Sequence, residues 1–207
     1  MNWNIVKGAC LALLPVAGTL KAQEKPNIVV ILADDLASNE ISCYGGKNLK
    51  TPNIDRIAEE GIRFTNNFAS CAMSVPIRAS LYTGLYPARH GSYQNHKISY
   101  SDIKSVTYYL PQAGYRVGRA GKTHTVPKSV FNFEKVPGFE ENCIAVTADY
   151  TVDGIRDFMR QDSPFCLFVC STLSHAPWTC GNKDEFDADK VILPPNCVDN
   201  KGTRELF

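Results

Sequence analysis

The sequence lacks an excess of charge of either sign, and this excludes the classes of protein that depend on one. Among its 207 residues, 22 Lys and Arg stand against 21 Asp and Glu, and no polybasic run occurs. A general nucleic-acid binder or a protein that docks on an anionic membrane carries a basic surface. We therefore expect no nucleic-acid partner, and a ligand of small or saccharide size.

A long apolar run and a regular cysteine framework are lacking as well. The apolar stretch from Gly8 to Leu20 is too short to span a bilayer, and it follows Lys7. This pattern predicts an export signal over residues 1–22 and no membrane span. The seven later cysteines are odd in number and have no zinc-ligand spacing, so we expect buried small side chains rather than disulfides.

After residue 22 the sequence alternates between apolar runs typical of strands and segments typical of helices. Strands are predicted in KPNIVVILADD (25–35), around Phe64 to Phe68, in YRVGRAGKTH (115–124) and in PFCLFVCSTLSHAPW (164–178). The run 25–35 is continuous and apolar, which predicts a strand buried on both faces of a parallel sheet.

Helical segments lie between these strands. Thr51 as N-cap, Pro52 at the first position and Gly61 as a stop predict a short amphipathic helix. Further helices are predicted in SDIKSVTYYLPQAG (101–114), in VDGIRDFMRQ (152–161) and as a helical turn in RASLYTG (78–84). The alternation predicts an α/β fold, a doubly wound layer with a parallel sheet.

Polar residues follow three of the predicted strands. Asp34 and Asp35 follow the first, Lys122 and His124 the second, and His175 the third. Because the carboxyl ends of parallel strands meet at one edge of a sheet, we expect these side chains to share one site. Taken singly, His124 and His175 are better explained as satisfied core residues.

Two features point to the chemistry of this site. Adjacent carboxylates repel unless solvent or a cation neutralises them, and oxygen ligands favour Ca²⁺, with Mg²⁺ as the second choice. Ser74 lies at a loop-to-helix junction four residues before Arg78, where a hydroxyl nucleophile would face backbone donors and a guanidinium. A solvated strand end and an ordinary turn serine remain the simpler interpretations of these residues alone.

Five segments in the same order resemble the type I sulfatases of the alkaline phosphatase-like superfamily. They are PNIVVILADD, YGGKNLKTPNIDRIAEEGIRFTNNF, SVPIRASLYTGLYPARHG, GYRVGRAGKTH and FCLFVCSTLSHAPW. The resemblance implies a parallel or mixed sheet flanked by helices. Residues 23–207 would then be the incomplete, N-terminal part of a catalytic domain. The segment GKTHTVPKSVFNFE is most similar to the heparan N-sulfatase branch.

The resemblance also implies a role for each candidate residue. Asp34, Asp35 and Ser74 match metal-binding positions, and Ser74 matches the residue that is oxidised to formylglycine, an aldehyde that hydrates to a diol. Arg78 matches the arginine that holds this residue. Lys122, His124 and His175 match the lysine and histidines that contact the sulfate and assist the leaving group. The implied reaction is hydrolysis of sulfate esters or N-sulfate on a carbohydrate such as a glycosaminoglycan.

With serine at position 74, the sequence resembles the branch of the family in which radical enzymes oxidise a serine to formylglycine. This implies a radical-type sulfatase-maturating enzyme as partner, and a periplasmic or cell-surface location in an anaerobic bacterium. Ile77 departs from the small residue usual at that position. The family completes its metal site with a C-terminal acid–amide or acid–histidine pair, and we do not assign that role to Asp199-Asn200.

Two alternatives stay open at this point. One is a phosphate monoester or diester hydrolase of the same superfamily that uses unmodified Ser74. The other is an inactive, truncated sulfatase fragment that binds sulfated glycan weakly. His90 and His96 are interpreted as loop residues beside a substrate pocket, and Trp178 as a partly buried structural residue.

Overall fold

Four parallel strands form the sheet of this protein, in the order β1–β4–β2–β3. The structure is a computed structural model that describes residues 25–206, so the predicted export signal at 1–22 lies outside the described residues. The strands are β1 (Ile28–Ala33), β2 (Arg116–Gly121), β3 (Glu134–Val136) and β4 (Phe165–Ser171). Within the described range the predicted parallel α/β arrangement is confirmed. The short strand β3 is an addition to the prediction.

Helices connect and flank these strands. They are α1 (Pro52–Glu60), α2 (Ser74–Thr83), α3 (Pro87–His90), α4 (Val106–Gln112), α5 (Asp153–Met159) and α6 (Lys201–Leu206). Short 3₁₀ turns lie at Ser38–Glu40, Ser42–Tyr44, Lys183–Glu185 and Ala188–Lys190. The helices predicted around α1, α4 and α5 are confirmed, and α2 is a full helix of 10 residues that begins at Ser74.

The strand predicted around Phe64 to Phe68 is wrong. Residues 61–73 form turns and irregular backbone, and the side chains of Phe64 and Phe68 are 64% and 86% exposed. A strand is stable only with a hydrogen-bonded neighbour, and in residues 25–206 no strand lies beside this segment. Thr51 occupies the N-cap position of α1, but its hydroxyl donates to the carboxylate of Asp55 and accepts from the backbone N–H of Ser42, not from an N–H of the helix.

The centre of the sheet is β4, which is buried on both faces. Phe165, Leu167 and Phe168 are each at most 3% exposed, and apolar clusters cover both sides of the strand. Cys166 and Cys170 of β4 are buried within these clusters. The seven cysteines among the described residues are free thiols, as expected for small buried or half-buried side chains.

The prediction that β1 is buried on both faces is wrong. Its alternate residues Ile28, Val30 and Leu32 pack on one core cluster, whereas Val29 and Ile31 are 47% and 66% exposed. The cluster on the opposite face centres on Phe158 and, within residues 25–206, does not extend to β1. A continuous apolar run therefore forms a strand that is only half covered.

The register of the sheet determines where the strands end. Ala33 of β1 pairs with Ser171 of β4, and Gly121 of β2 pairs with Cys170. All three strands thus end at one edge, which is the edge where ligands bind in open α/β sheets. In the part of the chain from 25 to 206, no helix is long and apolar enough to cross a membrane.

Candidate functional site

The ends of β1, β2 and β4 bring the predicted site residues together. Asp34 follows β1, and its backbone N–H continues the ladder to Ser171 O at 3.0 Å. Lys122 follows β2, and its N–H donates to Cys170 O at 3.0 Å. The hydroxyl of Ser174, after β4, donates to Asp34 O at 2.7 Å. Backbone hydrogen bonds therefore set the distances among these three chain segments.

Gly121 allows Lys122 to leave the sheet at this edge. Its φ of +82° is a left-handed conformation that glycine adopts without strain. A Cβ at this position would lie 2.2 Å from Cys170 O, which no side chain can tolerate. The glycine therefore permits the close approach of β2 and β4 that directs Lys122 inward.

Four side chains form a buried cluster that we call the inner group: Asp34, Ser74, Arg78 and Lys122. Arg78 Nη2 donates to Asp34 Oδ1 at 3.1 Å, and Lys122 Nζ donates to Asp34 Oδ2. Ser74 Oγ lies 3.4 Å from Asp34 Oδ1 and 3.2 Å from Lys122 Nζ. The side chains of Asp34, Arg78 and Lys122 are 9%, 4% and 1% exposed.

The inner group carries more positive than negative charge. Burial raises the pKa of Asp34, but the hydrogen bond from Lys122 and the charge of Arg78 outweigh burial and hold that pKa below its ordinary value of 3.8. One ionised carboxylate thus faces two cations. Arg78 Nη1 is buried and has no hydrogen-bond partner among residues 25–206. A buried donor without a partner beside surplus positive charge is a setting that an anion satisfies.

Ser74 is held in place through helix α2. It is the first residue of the helix, and the next N–H, from Val75, donates to Asn95 Oδ1 at 3.0 Å. Further along α2, Ser80 Oγ lies 3.1 Å from Nε2 of His90, whose Nδ1 accepts from Ser92 N–H at 3.1 Å. His90 is fully buried, so it is an internal anchor of α2 and not the pocket-lining loop residue predicted from sequence.

Asp35 and His175 lie toward solvent beside the inner group, and we call them the outer group. His175 Nε2 lies 3.4 Å from Asp35 Oδ2 and 3.9 Å from Asp34 Oδ2. Its Nδ1 lies 2.7 Å from Ala176 O, so in the neutral ring Nδ1 carries the proton and Nε2 faces the carboxylates as an acceptor. The Asp35 side chain is 60% exposed.

Asp34, Asp35 and His175 can hold a metal ion. One ligand atom from each lies within 4.8 Å of the others. Three acceptors that face one another repel unless a cation lies between them, so this donor set fits a divalent ion. The sequence predicted Asp34, Asp35 and Ser74 as metal ligands. The structure brings His175 to the carboxylates as well, and Ser74 Oγ to Asp34.

His124 follows Lys122 by two positions, with both ring nitrogens buried and, among the described residues, without hydrogen-bond partners. Burial and the neighbouring charge of Lys122 hold its pKa below 6.5, so the ring is neutral at pH 7. The ring of His96 meets it edge-on, with centroids 5.5 Å apart. The sequence interpretation of His96 was a loop residue beside a substrate pocket, and the structure places it in an exposed turn.

Backbone strain is concentrated around this edge of the sheet. Among residues 25–206, the four non-glycine residues with positive φ are Asp35, His96, His124 and Trp178. Such conformations cost about 1–2 kcal/mol each and cluster at functional sites. Trp178, predicted to be partly buried, is 69% exposed because its left-handed backbone turns the ring outward from the loop after His175.

Asp199 and Asn200 are occupied elsewhere. Asp199 accepts from Arg204 at 2.5 and 2.6 Å, and Asn200 Oδ1 accepts from Thr203 N–H at the start of α6. These side chains stabilise the beginning of a helix. The prediction that they are not the second half of the metal site is consistent with these contacts.

Comparison with known proteins identifies the class. A family model described as Sulfatase matches residues 26–190, so the chain belongs to the sulfatase family. The fold is accordingly the alkaline phosphatase-like α/β fold. It is similar to a solved structure of BT4656 in complex with its substrate D-glucosamine-2-N,6-O-disulfate, with a TM-score of 0.63 and 30% identity over 75% of this chain and 36% of that one.

Curated relatives give the more particular likeness. An ulvan-active sulfatase of Formosa agariphila is 38% identical over 161 residues, 75% of this chain and 31% of the relative. Human N-sulphoglucosamine sulphohydrolase is 34% identical over 185 residues, 84% of this chain and 36% of the relative. The chain thus spans about one third of the length of these relatives. A phosphonate monoester hydrolase of Agrobacterium radiobacter, 22% identical with a TM-score of 0.64, shares the fold.

Proposed function

We propose that this chain is the N-terminal part of the catalytic domain of an enzyme that hydrolyses sulfate groups on a saccharide. The observation that carries the proposal is the charge of the inner group, in which one buried carboxylate faces two buried cations and a guanidinium nitrogen has no partner within residues 25–206. A sulfate group presents up to three oxygens that share negative charge. Ser74 Oγ lies within 3.4 Å of this charge arrangement, where a nucleophile is required.

Each inner residue has a separate task in this reaction. Arg78 donates from Nη1 to a sulfuryl oxygen while Nη2 stays on Asp34. Lys122, within 3.2 Å of Ser74 Oγ, neutralises charge that develops on the attacked group. We assign His124 and His175 to the leaving group, where a ring nitrogen in its protonated form would hydrogen-bond the departing oxygen or nitrogen and supply its proton.

Two additions to the chain complete the proposal. Asp34, Asp35 and residue 74 would hold Ca²⁺, or Mg²⁺ in its place, with His175 beside them; the cation supplies Lewis-acid charge neutralisation. Oxidation of Ser74 to formylglycine by a radical-type maturating enzyme would supply a hydrated aldehyde as the nucleophile. The start of α2 supports this, because it leaves the Ser74 side chain within the cluster and not in a capping hydrogen bond.

The substrate class is a sulfated carbohydrate, in O-sulfate or N-sulfate form. The relatives named for ulvan and for N-sulphoglucosamine, and the disulfated glucosamine in a similar solved structure, support a saccharide. The balanced charge of the whole chain supports a local rather than a general anion-binding surface. The export-signal pattern of residues 1–22 supports a periplasmic or cell-surface location, and a serine at position 74, as in the radical-matured branch, supports an anaerobic bacterium.

Turnover by the purified full-length protein tests this proposal. We expect release of sulfate from 4-nitrophenyl sulfate and from D-glucosamine-2-N,6-O-disulfate, and a mass of the tryptic peptide 64–78 lower by two hydrogens at Ser74. Ser74→Ala abolishes turnover and the mass change. The matched control is Ser70→Ala in the same peptide, since the Ser70 hydroxyl bonds only that of Ser80 among the described residues.

Other outcomes point to the other two candidates. Faster hydrolysis of 4-nitrophenyl phosphate with unmodified Ser74 would assign the protein to phosphate ester hydrolysis. Unmodified Ser74 without turnover of either substrate would identify an inactive relative. Unchanged sulfatase activity in Ser74→Ala would remove Ser74 as the nucleophile.

A further inference from the structure

The turn from Gln94 to Lys97 is fixed against the helix that carries Ser74. Asn95 Oδ1 accepts the N–H of Val75 at 3.0 Å, directly after Ser74. Lys97 N–H donates to Gln94 O at 3.3 Å, which closes the turn. The position of this turn relative to the nucleophile is therefore set by hydrogen bonds on the helix itself.

The other side of the turn is anchored to buried hydroxyls. Ser92 Oγ donates to Lys97 O at 3.0 Å and lies 2.7 Å from Ser99 Oγ. Ser92 and Ser99 are 0% and 3% exposed. A turn held from both sides keeps His96, at its third position, in one place with little freedom to move.

His96 combines three properties that a purely structural turn residue does not need. Its φ of +66° suits glycine or asparagine better than histidine. Its ring is exposed, and within residues 25–206 neither of its nitrogens makes a hydrogen bond. Its ring packs against the ring of His124 in a T-shaped arrangement, and the nitrogens of His124 are buried. The free nitrogens of His96 thus lie at the entrance to the inner group.

We propose that His96 is a substrate-contacting residue that hydrogen-bonds the sugar carrying the sulfate, at a hydroxyl or amide next to the sulfated position. This inference rests on the proposed function. The sulfate occupies the cations of the inner group, and the sugar must extend from there toward solvent. His96 is an exposed residue in contact with His124, so it lies where a sugar would extend from the inner group. Inorganic sulfate carries no sugar hydroxyl or amide for His96 to bind.

Binding measurements with two probes test this role. The dissociation constants of D-glucosamine-2-N,6-O-disulfate and of inorganic sulfate are measured by calorimetry on the full-length protein that carries Ser74→Ala to prevent turnover. His96→Asn is then added, because asparagine tolerates the left-handed backbone while removing the imidazole. We expect the preference for the disulfate over sulfate to fall about tenfold, as for the loss of one hydrogen bond. His96→Gly, which relieves the backbone strain, gives the same result.

The matched control is Gln94→Ala, since Gln94 belongs to the same turn and its side chain is exposed. It leaves the preference unchanged. Equal weakening of both probes in His96→Asn and His96→Gly would show that His96 only supports the site and would overturn the proposal. An unchanged preference, while the protein with Ser74 intact still releases sulfate from the disulfate, would overturn the role of His96 and leave the proposed function standing. Binding of neither probe by the Ser74→Ala protein, together with no sulfate release by the protein with Ser74 intact, would overturn both.

Discussion

Asp34 and Asp35 are neighbours in the chain, yet the inner and outer groups to which they belong are held in different ways. Asp34 is 9% exposed and bonds two cations, whereas Asp35 is 60% exposed and meets His175. The inner group is ordered by the protein's own charges. The outer group brings together a carboxylate and an imidazole that, with Asp34, could hold a metal ion. The site is therefore prearranged for an anion in its interior and offers metal ligands at its rim.

Neutralising each carboxylate in turn tests the difference between the inner and outer groups most directly. Asp34→Asn removes the counter-charge of two buried cations, so we expect a loss of about 3–5 kcal/mol of unfolding free energy. Asp35→Asn changes an exposed side chain and costs less than about 0.5 kcal/mol. Urea unfolding of both variants measures the difference. Similar losses would contradict the division into an inner and an outer group.

Asp34→Asn and Asp35→Asn are expected to have similar effects on the affinity for Ca²⁺. Both replace a charged carboxylate by a neutral amide, which is a weaker ligand, so we expect each to weaken Ca²⁺ binding at least tenfold by calorimetry. A variant Asp35→Asn that binds Ca²⁺ as tightly as the parent protein would remove Asp35 from the metal site.

The inner group also depends on Gly121. Gly121→Ala forces a Cβ to within 2.2 Å of Cys170 O at a φ of +82°, so the backbone that carries Lys122 must move. We expect a loss of about 3 kcal/mol or more and weaker sulfate binding. Gly84→Ala is the control, since Gly84 has φ +70° but nothing within 4 Å, and it costs about 1 kcal/mol. Equal losses would mean that backbone strain alone matters at Gly121.

A smaller effect on stability is expected from His90, the buried residue that anchors α2. Burial holds the pKa of His90 below 6.5, so the unfolded chain takes up a proton that the folded chain does not. Stability is therefore complete well above pH 6.5 and falls by about 1 kcal/mol per pH unit below it. Unfolding free energies at pH 5.5 and pH 8 measure this slope. His90→Gln reduces the slope; an equal slope in both proteins would show that other groups cause it.

The smallest effect is expected at Asp199. Its carboxylate is engaged by Arg204 near the start of α6, so Asp199→Asn leaves Ca²⁺ affinity within twofold of the parent value. Calorimetry with the same protein that is used for Asp35→Asn gives the comparison. A tenfold loss would return Asp199 to the metal site.

Sequence reasoning identified the strand ends that form the site, because β1 and β4 are apolar runs followed by polar residues and β2 leads directly into Lys122. It failed where burial depends on distant segments. Residues 64–68 have the composition of a strand but, within residues 25–206, no strand to pair with, and Ile31 has the composition of a core residue but is 66% exposed. For the same reason His90, expected in a loop beside a pocket, is buried, and Trp178, expected to be partly buried, is exposed. Local sequence does not reveal which segments pack above a loop.

Local sequence patterns were enough to predict the alternation of strands and helices and the family, because periodicity and ordered motifs can be recognised along the chain alone. They also predicted the edge at which Asp34, Lys122 and His175 meet, since these residues follow parallel strands. The three-dimensional packing was needed to show that Asp34 pairs with two cations while Asp35 stays exposed. The packing also shows that Asn95 lies against α2 and that His96 lies against His124. These contacts join residues far apart in the chain, and their distances depend on how β1, β2 and β4 pack and where the connecting turns are anchored.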